Sequence, residues 1–269
     1  MRLSTLLAST VLATALASSA AFAGTITTFT WNPNGTTPVT LSGAGSQFSA
    51  SDMTVADYAT IDITDLTHVT ESGWLAVTAL NTPTTPGFVN GTGSGNGQGG
   101  GSPYQLYFQF SSVSHLNPLA PGVLVGAFDS LSYTLYGDVG GTCHFDVSGL
   151  TGCGPQQLVL ATGTLAAGGT NDVSIIGGLP SAHADVNILI GANAGSFFVN
   201  PATLAGFVFE TGFTNTTGVV SNPNGPIITI NGGGGNVDLL GVPEPLTLSV
   251  FGAGLAGAAA LRRRKAKKA

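Results

Sequence analysis

The stretch YQLYFQF, residues 104–110, decides the fold class. Large apolar side chains occupy Tyr104, Leu106, Phe108 and Phe110, whereas glutamine occupies two of the three positions between them. A period of two places the apolar set on one face of an extended β-strand. The stretch therefore predicts a strand with one buried face.

The same alternation recurs along the chain. The longer sets that share one face are Leu131, Tyr133 and Leu135 in LSYTLY and Leu75, Val77 and Ala79 in GWLAVTAL. Shorter candidate strands, separated by turn residues, are 26–30, 58–63, 158–160, 173–176, 186–190, 207–210, 227–230 and 237–240. No segment between residues 24 and 241 has a helical period with caps. We predict an all-β domain, a β-sandwich or jelly roll of roughly ten to twelve strands, because each apolar face needs a second sheet to cover it.

The N-terminus carries the three parts of a secretory signal in the usual order. A positive start at Arg2 precedes an apolar run over residues 3–16, and an A-x-A site follows at 21–23. We predict a signal peptide over residues 1–23, cleaved between Ala23 and Gly24. The alternative, a buried N-terminal helix, is disfavoured by the order of these parts.

Residues 24–241 are predicted to form one exported domain, since their number suits a single sizeable all-β unit. The segment NGTGSGNGQGGGSP, residues 90–103, has the composition of a long flexible loop within that domain. It contains a formal G-x-G-x-x-G pattern, but no βαβ unit surrounds it, so the pattern does not predict a dinucleotide site.

Charge is distributed unevenly along the chain. All seven Lys and Arg residues lie in the two ends, and none lies between Gly24 and Leu261, the span that holds all thirteen acidic residues. Removal of both ends leaves thirteen acids against no bases, a formal charge near −13. Such a domain cannot neutralise phosphates, so we predict no nucleic-acid binding. Divalent cations would screen or bridge its surface.

Two cysteines, Cys143 and Cys153, lie in the glycine-flanked stretch GGTCHFDVSGLTGCGP. In an oxidising compartment this spacing predicts a disulfide that closes a short loop. The alternative is a metal site that includes His144 and Asp146. That alternative lacks four ligands at the spacing of zinc sites.

Signatures of catalysis are sparse. The chain has neither a G-x-S-x-G nor an H-E-x-x-H motif. A Ser-His-Asp site assembled from distant loops would have to use one of the four histidines, His68, His115, His144 and His183. Lone histidines in a β domain are more often surface or structural residues. We therefore predict no enzymatic activity and no catalytic residue.

A cluster of acidic residues and the two tryptophans can each be interpreted either as a binding site or as structural residues. Acidic residues crowd one stretch and would suit a calcium site, although their spacing matches no EF-hand loop and solvated acidic turns are favoured. These residues are Asp52, Asp57, Asp62, Asp65 and Glu71. Trp31 and Trp74 could form a sugar-stacking platform, but tryptophans are more often packing residues. Apart from calcium, no cofactor is predicted.

The C-terminal stretch VPEPLTLSVFGAGLAGAAALRRRKAKKA, residues 242–269, has the parts of a membrane stop. Residues 246–261 would form an apolar helix about 24 Å long, shorter than the ~30 Å hydrocarbon core. Basic residues follow it at Arg262, Arg263, Arg264 and Lys265 and would remain on the cytoplasmic side. A weak span with a basic stop predicts a transient hold at the inner membrane.

The triplet Pro243, Glu244 and Pro245, followed by the apolar segment and the arginines, resembles the PEP-CTERM sorting signal of Gram-negative bacteria. The resemblance implies that an exosortase, a membrane transpeptidase-like enzyme, recognises residues 242–269 and cleaves near the triplet. It also implies a link to exopolysaccharide and the extracellular matrix. The stretches GAFDSLSYTLYGD and LATGTL resemble flocculation-associated proteins of this class.

Two functional classes then remain open. The first is an exported surface or matrix protein that promotes exopolysaccharide-associated aggregation, as in flocculation or biofilm formation. The second is a secreted carbohydrate-binding module or polysaccharide hydrolase that uses aromatic platforms and a carboxylate pair. Two facing carboxylates in a concave groove would favour the second class, and scattered acids on a flat or convex surface would favour the first.

Overall fold

The computed structural model describes residues 28–32, 48–82, 85–89, 104–139, 143–154, 156–167, 170–190, 197–200, 206–212, 220–222 and 225–240. All of them lie in one compact unit, Ile26–Leu240. The predicted signal peptide with its Ala23–Gly24 boundary, the glycine-rich loop 90–103 and the sorting signal 242–269 lie outside the described residues. No helix within the described part of the chain is long and apolar enough to cross a membrane.

The described part of the chain is built from β-strands and contains no α-helix, which confirms the predicted all-β class. The strands are β1 (Phe29–Trp31), β2 (Phe48–Ala50), β3 (Asp52–Asp62), β4 (Val69–Thr82), β5 (Thr85–Val89), β6 (Tyr104–Ala120), β7 (Val123–Val139), β8 (His144–Asp146), β9 (Gly149–Thr151), β10 (Gln156–Leu165), β11 (Asn171–Ile176), β12 (Leu179–Ile190), β13 (Phe198–Asn200), β14 (Gly206–Gly212), β15 (Val220–Ser221) and β16 (Ile227–Leu240).

Eleven strands belong to one antiparallel sheet that closes on itself. Its order is β12-β11-β7-β6-β4-β3-β16-β14, and β14 pairs again with β12. Strand β10 pairs with both β7 and β12, while β5 and β15 add to β4 and β16. Opposite walls of this closed sheet face each other across a common core, as the two layers of a sandwich do. The β12–β14 pairing joins what would otherwise be the two edges of one open sheet, so a single closed sheet takes the place of the two separate layers of a sandwich.

One wall of the closed sheet is split between two strands. β7 pairs with β11 through Val123–Gly126 and with β10 through Ser132–Val139. Residues 127–131 of β7 therefore have neither strand beside them on that side. The Phe128 backbone N–H in this interval donates to the Asn171 side-chain oxygen at 2.7 Å, so an asparagine replaces a strand as its partner.

The core lies inside the closed sheet. Its side chains include those that the alternating pattern predicted to be buried. The apolar faces predicted for residues 104–110, 131–135 and 75–79 are all buried. A second sheet, β13-β1-β2, adds Trp31, Phe197 and Phe198 to the same core. The Trp31 indole N–H donates to the Tyr104 hydroxyl at 3.0 Å, which satisfies the indole within the core.

Strand number exceeds the prediction because the described part of the chain includes several strands of only two or three residues. In contrast, the two short candidates at 227–230 and 237–240 are one strand, β16, that runs through a glycine segment. Gly232 has a φ of 87°, and the pairing with β3 shifts register between Asn231 and Gly233. Glycine accepts this left-handed conformation readily, so a bulge forms and the strand continues.

Candidate functional site

Strand register aligns hydroxyl side chains in one row across the outer surface of the closed sheet. Each residue of this hydroxyl row is the register partner of the next, from β16 through β3, β4, β6 and β7 to β10. The row consists of Thr229, Thr60, Ser72, Ser111, Ser132 and Thr164. None of the six is buried, and the last four are exposed to solvent. Adjacent strands lie about 4.8 Å apart, so the row repeats hydroxyls at that spacing.

A second row lies two residues along each strand, about 6.7 Å away. It is more varied and contains amide and aromatic groups among its hydroxyls. Its members are Asn231, Tyr58, Trp74, Gln109, Thr134 and Thr162. Tyr58 is buried, so the accessible part of this row combines hydrogen-bonding groups that both donate and accept with the half-buried ring of Trp74.

Part of this surface forms an open groove of about 780 Å³, which we call the hydroxyl groove. Its lining includes four members of the hydroxyl row, Ser72, Ser111, Ser132 and Thr164, together with Ala166, which follows β10, and Asn171, which begins β11. The other residues that line the groove are Thr70, Glu71, Ser112, Val113, Asp129, Ser130, Leu131, Leu165 and Ala167.

The groove lies where the wall of the sheet is irregular. The β6–β7 register shifts between Val113 and Ser114, which leaves Asp129 as an extra residue on β7. A bulge of this kind bends its strand and redirects a side chain. The Asp129 carboxylate lies 2.7 Å from the His115 ring nitrogen Nδ1, and both side chains are about half exposed. Within the described residues, this pair is not extended to a serine.

The two tryptophans have different environments. Trp31 is fully buried, which agrees with the favoured packing interpretation and excludes this ring from a sugar-stacking platform: it packs between Phe197, Phe198 and Tyr104. Trp74 is half-buried on the outer surface, where it packs against an aromatic cluster beside the groove. Only Trp74 could therefore contact a ligand from outside.

A disulfide-closed hairpin, β8–β9, covers that aromatic cluster. Cys143 and Cys153 are joined with an S–S distance of 2.13 Å, which confirms the predicted pairing. Phe145 stacks on Tyr58 with ring centroids 5.8 Å apart and meets Tyr107 edge-on at 5.4 Å. The hairpin thus converts an outward aromatic surface into a second small core.

Two buried polar side chains fasten the hairpin to the sheet. Gln105 accepts a hydrogen bond from the Cys143 N–H at 2.6 Å and donates to the Cys143 carbonyl at 3.2 Å. Its register partner Asp138 accepts from the Gly154 N–H at 2.8 Å. Because disulfide sulfurs offer no thiolate, the alternative metal site with His144 and Asp146 is wrong. Both residues are exposed, and Asp146 instead accepts hydrogen bonds from Ser148.

Two acidic residues, Asp57 on β3 and Glu71 on β4, occupy positions that alternate with core residues, and we call them the inner carboxyl pair. Glu71 is only partly buried and also lines the hydroxyl groove. Asp57 alternates with the core residues Val55 and Ala59 and is 1% exposed, and its Oδ1 makes no hydrogen bond. Burial raises the pKa of Asp57 well above its usual range, and the charge of Glu71 raises it further. Burial also raises the pKa of Glu71 to about 7, partly offset by the nearby Ser112 hydroxyl. These carboxyls are held with fewer charges than two exposed acids would carry at neutral pH.

The five acids of the candidate calcium stretch have separate roles. Asp57 and Glu71 belong to the inner pair, whereas Asp62 and Asp65 each accept hydrogen bonds within the exposed β3–β4 turn. Asp52 interacts with Ser51 and Asn81. Within the described residues, the acidic and cysteine ligand atoms that converge are those of Asp138 and the disulfide pair, and they do not include this stretch.

The remaining histidines do not assemble with one another. His183 lies 3.7 Å from Asp172 at a different place on the sheet, and His68 is exposed in the β3–β4 turn. The inner carboxyl pair could have been found in the sequence, because Asp57 interrupts an apolar alternation. The hydroxyl row could not, since it depends on pairing between distant strands. No protein-family model, curated protein or solved structure matches this chain.

Proposed function

We propose that this chain is an exported cell-surface or matrix protein that promotes exopolysaccharide-associated aggregation after processing by an exosortase. On this proposal the signal peptide directs export, and residues 242–269 hold the chain transiently at the inner membrane before cleavage near Pro243–Pro245. A compact, sandwich-like β domain is then delivered to the cell surface or matrix. The protein is the substrate of the sorting enzyme, and its own role is adhesive.

The observation that carries the proposal is the chemistry of the outer surface. Hydroxyl and amide groups line adjacent strands, and within Gly24–Leu261 no Lys or Arg is available to hold an anion. Such a surface suits contact with sugar hydroxyls, which donate and accept in the same way. It does not suit nucleic acid, whose affinity depends on neutralising phosphates.

Two mechanisms of adhesion are compatible with an acidic domain. Like-charged surfaces repel at low ionic strength, so contact between copies needs calcium between carboxylates or a neutral sugar shared by them. On the calcium mechanism, chelation loosens wild-type aggregates. On the sugar mechanism, chelation has little effect and substitution of Trp74 has more.

Sorting provides the direct test. In the producing cell, we expect the extracellular protein to begin at Gly24 and to lack residues 262–269, because both ends have the composition of removable signals. Alanine at Pro243, Glu244 and Pro245 should leave the protein in the membrane fraction and disperse the aggregates. Intact-mass analysis and a settling assay measure these two results.

The matched control is Thr247→Ala with Ser249→Ala, which keeps the triplet, the apolar segment and the basic residues. This variant should be exported and should aggregate like the wild type. Recovery of an intact basic tail outside the cell would contradict the sorting proposal. Normal aggregation by a strain that lacks the protein would contradict the adhesive role.

One observation favours the second candidate, a polysaccharide hydrolase. Two acids line the hydroxyl groove, and one of them, Glu71, has a pKa of about 7, a value suited to a general acid. The other, Asp129, is exposed and paired with His115. If Asp129→Asn and Glu71→Gln each abolish polysaccharide turnover in culture while aggregation persists, the hydrolase replaces the adhesive proposal.

A further inference from the structure

We propose that the hydroxyl groove binds a stretch of uncharged polysaccharide, with its sugar hydroxyls on Ser72, Ser111, Ser132 and Thr164 and a sugar ring against Trp74. This inference rests on the proposed function and specifies the partner that such a surface would take. It assigns a site and a ligand class to a part of the molecule that would otherwise be only the outside of a sheet.

Charge selects the class of polysaccharide. The titratable groups of the groove lining are acids, Asp129 and Glu71, and the lining residues at the end of β10 and the start of β11, Ala166, Ala167 and Asn171, are apolar or amide. Asp62 lies one row away on β3, opposite Thr70 in the register. Sulfated, phosphorylated or uronic sugars would need a cation here, and the described residues of the groove include none. A neutral glycan meets no such repulsion.

Hydrogen-bonding capacity selects a sugar over an apolar partner. Ser111 and Ser132 hydroxyls lie 3.0 Å apart, and either can donate to the other. Each hydroxyl offers one donor and two acceptor positions, so this contact leaves capacity for a ligand on both. The groove therefore retains unused hydrogen-bonding capacity along its length.

Spacing fixes the direction of the chain. The four groove hydroxyls cross β4, β6, β7 and β10, a distance of about 14 Å at ~4.8 Å per strand. A glycan that runs across the strands would present hydroxyls to all four, whereas one that runs along a strand would meet only one of them. The length is sufficient for a few consecutive sugar rings.

The aromatic side of the site completes the match. Trp74 follows Ser72 by two residues on β4, so its ring lies next to the hydroxyl row. Its register partner Gln109 is exposed and adds an amide that donates and accepts. Sugars combine apolar C–H faces with equatorial hydroxyls, and a half-buried aromatic ring beside polar groups fits both features.

Affinity electrophoresis of the purified, disulfide-intact extracellular protein, which on the proposed function lacks the basic residues 262–269, tests the site. The probes are neutral polysaccharides (hydroxyethyl cellulose, dextran and galactomannan) and anionic alginate, each cast into a native gel. We expect at least one neutral polymer to retard the wild type and alginate not to. The double variant Ser111→Val with Ser132→Val should bind that polymer about tenfold or more weakly, because each neutral hydrogen bond contributes a factor of about two to twelve.

Valine suits exposed strand positions and removes both members of the Ser111–Ser132 pair, so neither is left unpaired. Ser49→Val, at an exposed position of β2 outside the groove, is the matched control and should bind like the wild type. Thr164→Val is a second test should the double variant not fold, with an expected loss of affinity of about two- to twelvefold.

The proposal is overturned if no neutral polymer retards the wild type, if alginate retards it more, or if the folded valine variants bind unchanged. If these binding tests fail but aggregation still depends on the sorting triplet, the sugar site is wrong. The adhesive function would then be explained by the calcium mechanism.

Discussion

Replacing Glu71 by glutamine is expected to raise the free energy of unfolding by about 3 kcal/mol at pH 8 and to leave it nearly unchanged at pH 4. Burial raises the pKa of Glu71 from an ordinary value of 4.5 to about 7. At about 1.4 kcal/mol for each tenfold change in proton affinity, this difference corresponds to about 3 kcal/mol. The neutral glutamine has nearly the same shape and has no charge to bury.

The sign of the pH dependence follows from which state binds the proton more tightly. Because the folded-state pKa lies above the unfolded one, the folded state holds more protons between about pH 4.5 and 7. The stabilisation is complete below pH 4.5 and is lost as the pH rises to 7. Asp57, whose pKa is also raised, acts in the same direction. The wild type should therefore be more stable at pH 5 than at pH 8.

Urea unfolding at pH 4, 5 and 8 measures both effects. Asp172→Asn, at an exposed carboxylate, is the matched control and should change stability by less than about 1 kcal/mol at each pH. Three other aspartates, Asp62, Asp65 and Asp146, have pKa values lowered by hydrogen bonds from Thr64, Thr67 and Ser148. Their contribution is lost only as the pH falls below about 4, outside the main window. Equal wild-type stability at pH 5 and pH 8 would contradict the buried placement of the pair.

Removing the disulfide is expected to lower the free energy of unfolding by about 3 kcal/mol. The reason is that the bond closes a loop of about ten residues and so reduces the conformational entropy of the unfolded chain. The change is Cys143→Ser with Cys153→Ser. For a domain of this size the melting temperature should fall by roughly 6 to 12 °C. The hairpin also covers Tyr58, Tyr107 and half-buried Trp74, so its loosening should expose aromatic surface.

Thermal melting and binding of an apolar dye before the transition measure these two effects. The reduced wild type should behave like the double serine variant, since both lack the same bond. Ser148→Ala serves as the control, because it removes only a hydroxyl contact to Asp146 in the exposed hairpin turn and keeps the disulfide. It should lower stability by less than about 1 kcal/mol. A serine variant as stable as the oxidised wild type would show that the buried Gln105 and Asp138 contacts alone hold the hairpin.

The part of the fold that depends on local pattern was predictable. Alternation in YQLYFQF is a property of seven consecutive residues, and Tyr104, Leu106, Phe108 and Phe110 are buried together as expected. The disulfide was predictable for the same reason, since its partners are ten positions apart. In both cases the residues that determine the outcome are close in the chain.

Features that depend on distant pairing were not predictable. Ser111 meets Ser132 and Ser72 only because β6 lies between β7 and β4 in one register, and a shift of one residue would turn each hydroxyl into the core. Trp31 has no local feature that distinguishes a core ring from a surface ring, and its position depends on Phe197 and Phe198, over 160 residues away. Closure through β12 and β14 likewise has no local sequence pattern.

The β12–β14 pairing has a consequence for how one copy of this protein could meet another. A sheet with two open sides offers rows of unpaired N–H and C=O groups, onto which a neighbouring molecule can add as an extra strand and begin a fibril. Here the main circuit is joined to itself, and its long strands have partners on both sides along most of their length. Cohesion among copies would then depend on side-chain surfaces and on what those surfaces hold between them. Clumps made in this way should disperse when the linking sugar or ion is withdrawn, without a cross-β signature in diffraction.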